Sequence, residues 1–124
     1  MAAPHLRAGE EAEIIARRYL EAAGLRVIAL NYRCRRGELD LVMHDGAQLV
    51  VVEIRYRRSA QLMTPAETVD RGKRCRIAAA AAHFLQRNTN YGDNPVRFDV
   101  IGMTGSLDSP DIEWIRNAFS TDDL

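Results

Sequence analysis

The sequence predicts a mixed α/β sandwich, in which helices pack on a sheet containing a central antiparallel hairpin. Three observations carry this. Apolar residues recur at helical spacing near the N-terminus and again after residue 70, two strand-like runs flank an Asp-Gly turn between residues 37 and 58, and a further strand-like run follows the second helix. The order is α-β-β-β-α-β, with a candidate extra strand toward the C-terminus.

Residues 9 to 23 form the first helix, since Ala12, Ile15, Ala16, Tyr19, Leu20 and Ala23 recur at helical spacing and Gly24 is a natural stop. Glu10, Glu11 and Glu13 lie in its first turn, where the helix dipole favours acids on structural grounds alone. Leu25 to Arg33 reads as the first strand. The second and third are GELDLV and VVVEIR on either side of Asp45-Gly46, a dipeptide that tolerates the positive φ of a tight hairpin. With those two residues at the tip, Glu38 faces Glu53, Asp40 faces Val51 and Leu41 faces Val50. Alternation then puts Glu38, Asp40, Val51, Glu53 and Arg55 on one face, and Leu39, Leu41, Val50 and Val52 on the other. Asp40 and Glu53 become diagonal neighbours.

RSAQLM is a polar loop beside these acids. Thr64-Pro65-Ala66-Glu67 has the pattern of a capping box and starts a short helical turn. Asp70 caps a second helix over Arg71–Arg87, with Ile77, Ala81, Phe84 and Leu85 as its apolar stripe. After the polar loop NTNYGDN, Val96–Met103 is a strand with Phe98 and Val100 on one face and Arg97, Asp99 and Ile101 on the other. Asp99 reads as a structural acid at the strand end, paired with Arg97 or with an Arg of the basic cluster. Ile112–Ile115, with Trp114, is the extra strand, and STDDL is a frayed acidic tail.

At 124 residues the chain fits one domain spanning 1–124, with an ordered core over about 9–116 and an acidic C-terminal tail. Cys34 and Cys75 are too few and too unpatterned for a disulfide or metal framework. The histidines His5, His44 and His83 have no ligand spacing. No apolar run approaches a membrane span or a signal peptide, and a cytoplasmic protein with reduced thiols is expected.

Net charge is formally zero, but it is segregated. From Arg33 to Arg76 there are ten basic and six acidic residues, whereas Asp108 to Leu124 holds five acids and one Arg. The basic excess surrounds the hairpin: Arg35 and Arg36 precede it, Arg57 and Arg58 leave it, and Lys73 and Arg74 open the next helix. Such a local field binds phosphates even on a neutral molecule. The bland reading is a set of ordinary solvated strand ends and helix turns.

The acids carry the chemistry. Two carboxylates brought close repel unless a positive charge neutralises them. A hard cation such as Mg²⁺ suits an all-oxygen site of one or two carboxylates completed by water and phosphate. The competing reading is a solvated face on which Glu38, Glu53 and Arg55 form a cross-strand ion-pair ladder.

The acidic N-terminal helix, GELDLV, VVVEIR, the basic helix and RFDV, taken in that order, resemble the YraN-like family of bacterial proteins over Gly9 to Ile101. The resemblance implies a restriction-endonuclease-like core with a PD-(D/E)xK signature, similar to archaeal Holliday junction resolvases. By that resemblance, Asp40 matches the metal-binding Asp, Glu53 the second acid, and Glu10 an acidic position near the metal. Arg55 occupies the Lys position. Arginine stabilises charge at phosphorus, but its pKa is too high for it to accept a proton. The chain has sixteen Arg and a single Lys, so Arg55 fits a general bias toward Arg, and the one retained Lys, Lys73, is a second candidate for phosphate contact. Met63 stands where the family more often has Gly.

The function implied is metal-dependent hydrolysis of DNA phosphodiesters with Mg²⁺ or Mn²⁺, on branched DNA, by a protein able to act as a homodimer. Asp40, Glu53 and Arg55 are the expected catalytic residues, and Asp40, Glu53 and Glu10 the expected metal residues. Arg35, Arg36, Arg57, Arg58, Lys73 and Arg74 are the expected nucleic-acid contacts. The alternative is a nuclease fold that binds nucleic acid or a protein partner without cutting.

Overall fold

A five-stranded sheet in the order β1-β2-β3-β4-β5 is covered by one helix on each face. The computed structural model describes residues 8–59 and 63–124. The elements are α1 (Ala8–Ala22), β1 (Arg26–Cys34), β2 (Gly37–Asp45), β3 (Gln48–Arg57), α2 (Arg71–Arg87), β4 (Val96–Thr104) and β5 (Asp111–Phe119). The expected order is therefore present, including the extra strand, which is longer than its apolar centre. All neighbours are antiparallel except β3 and β4, which run parallel because α2 carries the chain back across the sheet.

The central strands are buried on both faces, which is why Leu49, Val50, Val51 and Val52 form an unbroken apolar run. On one face Ala12, Ala16 and Leu20 of α1 pack on Leu41, Met43, Val50, Val52, Ile101 and Met103. On the other, Ile77, Ala80, Ala81 and Phe84 of α2 pack on Leu39, Val42, Val51, Phe98 and Val100. The alanines of both helices are small enough to seat each helix close to the sheet. Asp70 Oδ1 accepts from the Lys73 N–H at 2.8 Å, so α2 begins at the expected cap.

The hairpin register differs from the expected one. Asp45 pairs with Gln48 and Leu41 with Val52, so the two-residue loop is Gly46-Ala47, one residue later than expected. Gly46 has φ 62°, and no positive φ is found at Ala47, so the loop is of the kind in which glycine comes first. Glu38 consequently does not face Glu53. It pairs with Arg33 of β1, and the two side chains are 3.3 Å apart.

The expected alternation also breaks at Asp40, since Leu39 packs on the α2 side and Leu41 on the α1 side. Ladder pairing of β2 with β3 runs from Asp45 only to Leu41, and beyond it the Ile54 N–H donates to Asp40 Oδ2 at 2.9 Å. A side chain has replaced a main-chain acceptor, and the strands part there.

One smaller reading holds and another changes. Thr64 and Glu67 cap one another reciprocally, at 2.8 and 3.2 Å, and the Thr68 N–H reaches the Thr64 carbonyl at 3.2 Å, which closes the expected single helical turn. The C-terminal residues form a short 3-10 turn capped by Ser120, where fraying was expected. His83 is bonded to Tyr32 and ties α2 to β1. Of the loop beside the acids, residues 60–62 lie outside the described residues.

Candidate active site

The site forms where β2 and β3 part. Glu53 and Arg55 follow Val51 on the α2 face of β3, and Asp40 stands across the opening on β2. The β2–β3 ladder stops at Leu41 and Val52, and beyond it the two carboxylates lie close enough to repel each other. Between Leu30 and Tyr32, at the level of Asp40, β1 carries Asn31 with φ 50°. Asn31 Nδ2 donates to Glu13 Oε2 at 2.8 Å, which ties this edge of the sheet to α1.

Glu53 is 5% exposed. Lys73 Nζ lies 3.7 Å and Arg55 Nε 3.8 Å from the same oxygen, Glu53 Oε2. Neither cation compensates for what surrounds the acid. Burial, and then repulsion from the Asp40 carboxylate, push Glu53 up to about 7 against the opposing pull of Lys73 and Arg55. Arg55 donates from Nη2 to the Thr68 carbonyl at 3.3 Å, while its buried Nε has no hydrogen-bond partner among the described residues.

The Thr68 carbonyl reaches Arg55 because of Gly102. Gly102 pairs with Arg55 in the parallel β3–β4 ladder, and a Cβ there would lie 2.2 Å from Pro65 Cγ. The missing side chain lets the 64–68 turn lie on the sheet.

A cleft of about 630 Å³ opens from this site on the α1 side, lined by Glu10, Glu13, Asn31, Asp40, Arg55 and Arg57 among others. Glu10 is exposed at its rim. Among the described residues no three His, Cys, Asp or Glu side chains converge, so Asp40 and Glu53 act as a pair and Glu10 stands apart from them. An oxygen-only pair that repels itself fits a hard divalent cation, and Mg²⁺ commonly takes one or two carboxylates and completes its shell with water and phosphate. Asp40 Oδ2 is engaged by Ile54, which leaves Oδ1 for such an ion.

The expected phosphate contacts divide. Arg35, Arg36 and Lys73 line one pocket with Arg33 and Arg76. Arg57 lines the acidic cleft and also donates to its neighbour's carbonyl, Tyr56 O, at 3.1 Å. Arg58 lines a separate groove with Glu11 and Asp108. Arg74 is committed to the fold, contrary to expectation. Its Nε donates to the Val69 carbonyl at 2.7 Å, its Nη2 to the Ala66 carbonyl at 3.2 Å, and its guanidinium lies over the Phe119 ring.

Asn31 and Thr68 join the site without belonging to any motif of the sequence. Asn31 carries one signal, a turn-forming residue in the middle of a strand-like run.

This five-stranded mixed sheet between two helices, with an acidic pair where its central hairpin opens, has the architecture of a restriction-endonuclease-like core. The chain belongs to the uncharacterised protein family UPF0102, the YraN-like proteins, whose family model matches residues 12–103. It is similar to UPF0102 proteins of Nitrosococcus oceani (44% identical over 117 residues, 94% of each chain). A Pseudomonas fluorescens relative is 42% identical over 94% of this chain and 96% of its own. One from Methylobacillus flagellatus is 48% identical over 112 residues, 90% of this chain and 96% of its own. No helix among the described residues is long and apolar enough to cross a membrane.

Proposed function

We propose that this protein is a metal-dependent endonuclease that hydrolyses DNA phosphodiesters. The observation that carries the reading is Glu53, a buried carboxylate set against a second carboxylate and lifted to about 7 by burial and by that neighbour. An arrangement that disfavours its own charged state is typical of a site awaiting a positive ligand or a reaction.

Asp40 and Glu53 would hold Mg²⁺ or Mn²⁺, and the ion would supply electrophilic activation of the phosphate and of a water nucleophile. The chain's own contribution is then positional and electrostatic. Asp40 is fixed by the Ile54 N–H on Oδ2, which leaves its other oxygen for the ion. Arg55 and Lys73 bring two positive charges to the same carboxylate, where they offset the charge that builds on the phosphate oxygens as water adds and the ester oxygen leaves. Arg55 cannot serve as the base, so the proton from water leaves through solvent or through the phosphate itself. Glu10 stands at the cleft rim, and its role in this reading is through water.

Branched DNA is the substrate class this reading favours. A homodimer would present two sites to a symmetric junction. The reduced thiols of Cys34 and Cys75 suit a cytoplasmic setting.

The test is cleavage of linear, flapped and four-way-junction DNA in Mg²⁺ and Mn²⁺ by wild type, Asp40→Ala and Arg55→Lys. Cutting by wild type and its loss in Asp40→Ala supports the metal site and makes Arg55 a working substitute for Lys. Arg55 at the position of the signature Lys, with a pKa too high to accept a proton, favours a second reading, a nuclease fold that binds without cutting. Inert wild type with active Arg55→Lys would establish it.

A further inference from the structure

Charge is not shared evenly among the clefts of this molecule. The cleft at Asp40 balances Glu10, Glu13 and Asp40 against Arg33, Arg55 and Arg57. The groove beyond Arg55 sets Arg55 and Arg57 against Asp111 and Glu113, and the groove at Arg58 has two acids to its one Arg. The pocket between the β1–β2 turn and α2 differs. Arg33, Arg35, Arg36, Lys73 and Arg76 line it with a single acid, Glu38, already paired to Arg33.

Cations crowded in this way repel, and such a cluster is held together by an anion or left open to solvent. Here the crowding is built into the backbone. A Cβ at Gly37 would lie 2.8 Å from the Arg76 carbonyl oxygen, so glycine lets the β1–β2 turn touch α2 and brings Arg35 and Arg36 beside Arg76. The pocket also joins the acidic site twice. Lys73 lines it and contacts Glu53, and Arg33 lines both it and the cleft at Asp40.

We propose that this pocket is a second phosphate subsite, which holds a backbone phosphate of the nucleic-acid strand next to the one at the Asp40–Glu53 pair. The ligand chemistry is a phosphodiester oxyanion, bound by the forked donors of Arg35, Arg36 and Arg76. The strand then runs from the cleft on the α1 side, past the acidic pair, to the β1–β2 turn, with Lys73 between the two phosphates. This rests on the endonuclease reading only for the identity of the neighbouring site; the pocket's affinity for the strand does not require cutting.

The test is the salt dependence of DNA binding. Affinity of the full chain for a labelled DNA duplex is measured in Ca²⁺ over a range of NaCl concentrations for wild type, Arg36→Ala/Arg76→Ala and Arg87→Ala. Removing one Arg–phosphate ion pair makes the slope of log K against log salt shallower by about 1. The double variant should therefore bind about tenfold more weakly at low salt with a slope shallower by about 1 to 2, whereas Arg87→Ala, at the far end of α2, should match wild type. Circular dichroism of the same samples separates misfolding from removal of the ion pairs, since Arg36 and Arg76 are both exposed.

A double-variant slope equal to that of wild type overturns the subsite, even if wild type cuts DNA in Mg²⁺. A shallower slope in a protein that never cuts upholds the subsite and removes the endonuclease reading. Equal loss of slope in Arg87→Ala would show diffuse attraction in place of a built pocket, and would also overturn the proposal.

Discussion

Among the described residues two acids are buried, Asp99 and Glu53, and they are held in opposite ways. Asp99 is fully covered and satisfied: Arg97 donates to it at 2.9 to 3.2 Å, Trp114 Nε1 at 2.9 Å and the Asn117 N–H at 2.9 Å. Glu53 receives no hydrogen bond from an N–H donor among the described residues. Its cations stop at 3.7 and 3.8 Å, and a second carboxylate faces it. Burial alone therefore does not mark a candidate functional acid. What separates the two is whether the protein has supplied the partners that burial demands.

Stability separates the two acids most strongly. Asp99→Ala leaves the Arg97 guanidinium, the Trp114 indole N–H and the Asn117 amide without their acceptor, in the middle of the sheet. Removing one member of a buried ion pair is expected to destabilise by about 3–5 kcal/mol, read as a lower urea midpoint at unchanged slope. Glu53→Gln should do the reverse at neutral and alkaline pH. Because the folded protein holds the Glu53 proton up to about 7 and the unfolded chain releases it near 4.5, the native state binds more protons between those values. Its contribution is then fully present below 4.5 and lost as pH rises through 7, a loss of about 3 kcal/mol. Glu53→Gln should flatten that slope. If the wild-type urea midpoint is flat from about pH 4.5 to 8, the strained-carboxylate account is wrong.

A cation should act on one acid and not the other. Mg²⁺ that binds only the folded state stabilises by about 3 kcal/mol at a hundredfold excess over its Kd. At about pH 8 it should therefore raise the melting temperature of wild type by several degrees. The shift should vanish in Asp40→Asn and in Glu53→Gln. It should survive in Glu10→Gln, whose side chain is exposed at the rim of the cleft.

Much of this contrast is legible in the residues, and the part that is not has a physical reason. The element order follows from periodicity, and the start of α2 from Asp70, because helical spacing and caps are local properties. The hairpin register is displaced by one loop residue from the expected one, because Asp-Gly and Gly-Ala can both turn a strand, and the choice depends on long-range pairing with β1 and β4. Opposed residue numbers shift by an even step, which keeps Glu53 and Arg55 on the expected face. The break at Asp40 is invisible in the sequence, because alternation assumes an unbroken ladder and here a side chain replaces a rung. Arg74 departs from expectation for a related reason: charge can be counted along a sequence, but an Arg consumed by carbonyls at Val69 and Ala66 looks the same as one facing solvent. A structural role for Asp99 is legible, although the choice of Arg97 as its partner, its complete burial and its bonds to Trp114 and Asn117 depend on the folded sheet and on β5.

The smallest effect concerns the cation that serves each acid. Arg97 is clamped by Asp99 and also by Gln48 at 3.0 Å, whereas Arg55 has one hydrogen bond among the described residues, to the Thr68 carbonyl at 3.3 Å. That bond exists because Pro65 occupies the space above Gly102. Gly102→Ala would place a methyl 2.2 Å from Pro65 Cγ and 2.6 Å from Pro65 Cβ, so the 64–68 turn must lift. Overpacking of this kind costs about 1–3 kcal/mol. The loss should be largely recovered in Gly102→Ala/Pro65→Gly, which removes the ring that clashes, and a double-mutant cycle should give a coupling of about 1 kcal/mol or more. The same cycle read through DNA cleavage separates packing from positioning. If the double variant regains stability but not cleavage, Thr68 orients Arg55 for the phosphate and the restored turn has not returned its carbonyl. If both return together, Arg55 needs only that the 64–68 turn lie on the sheet.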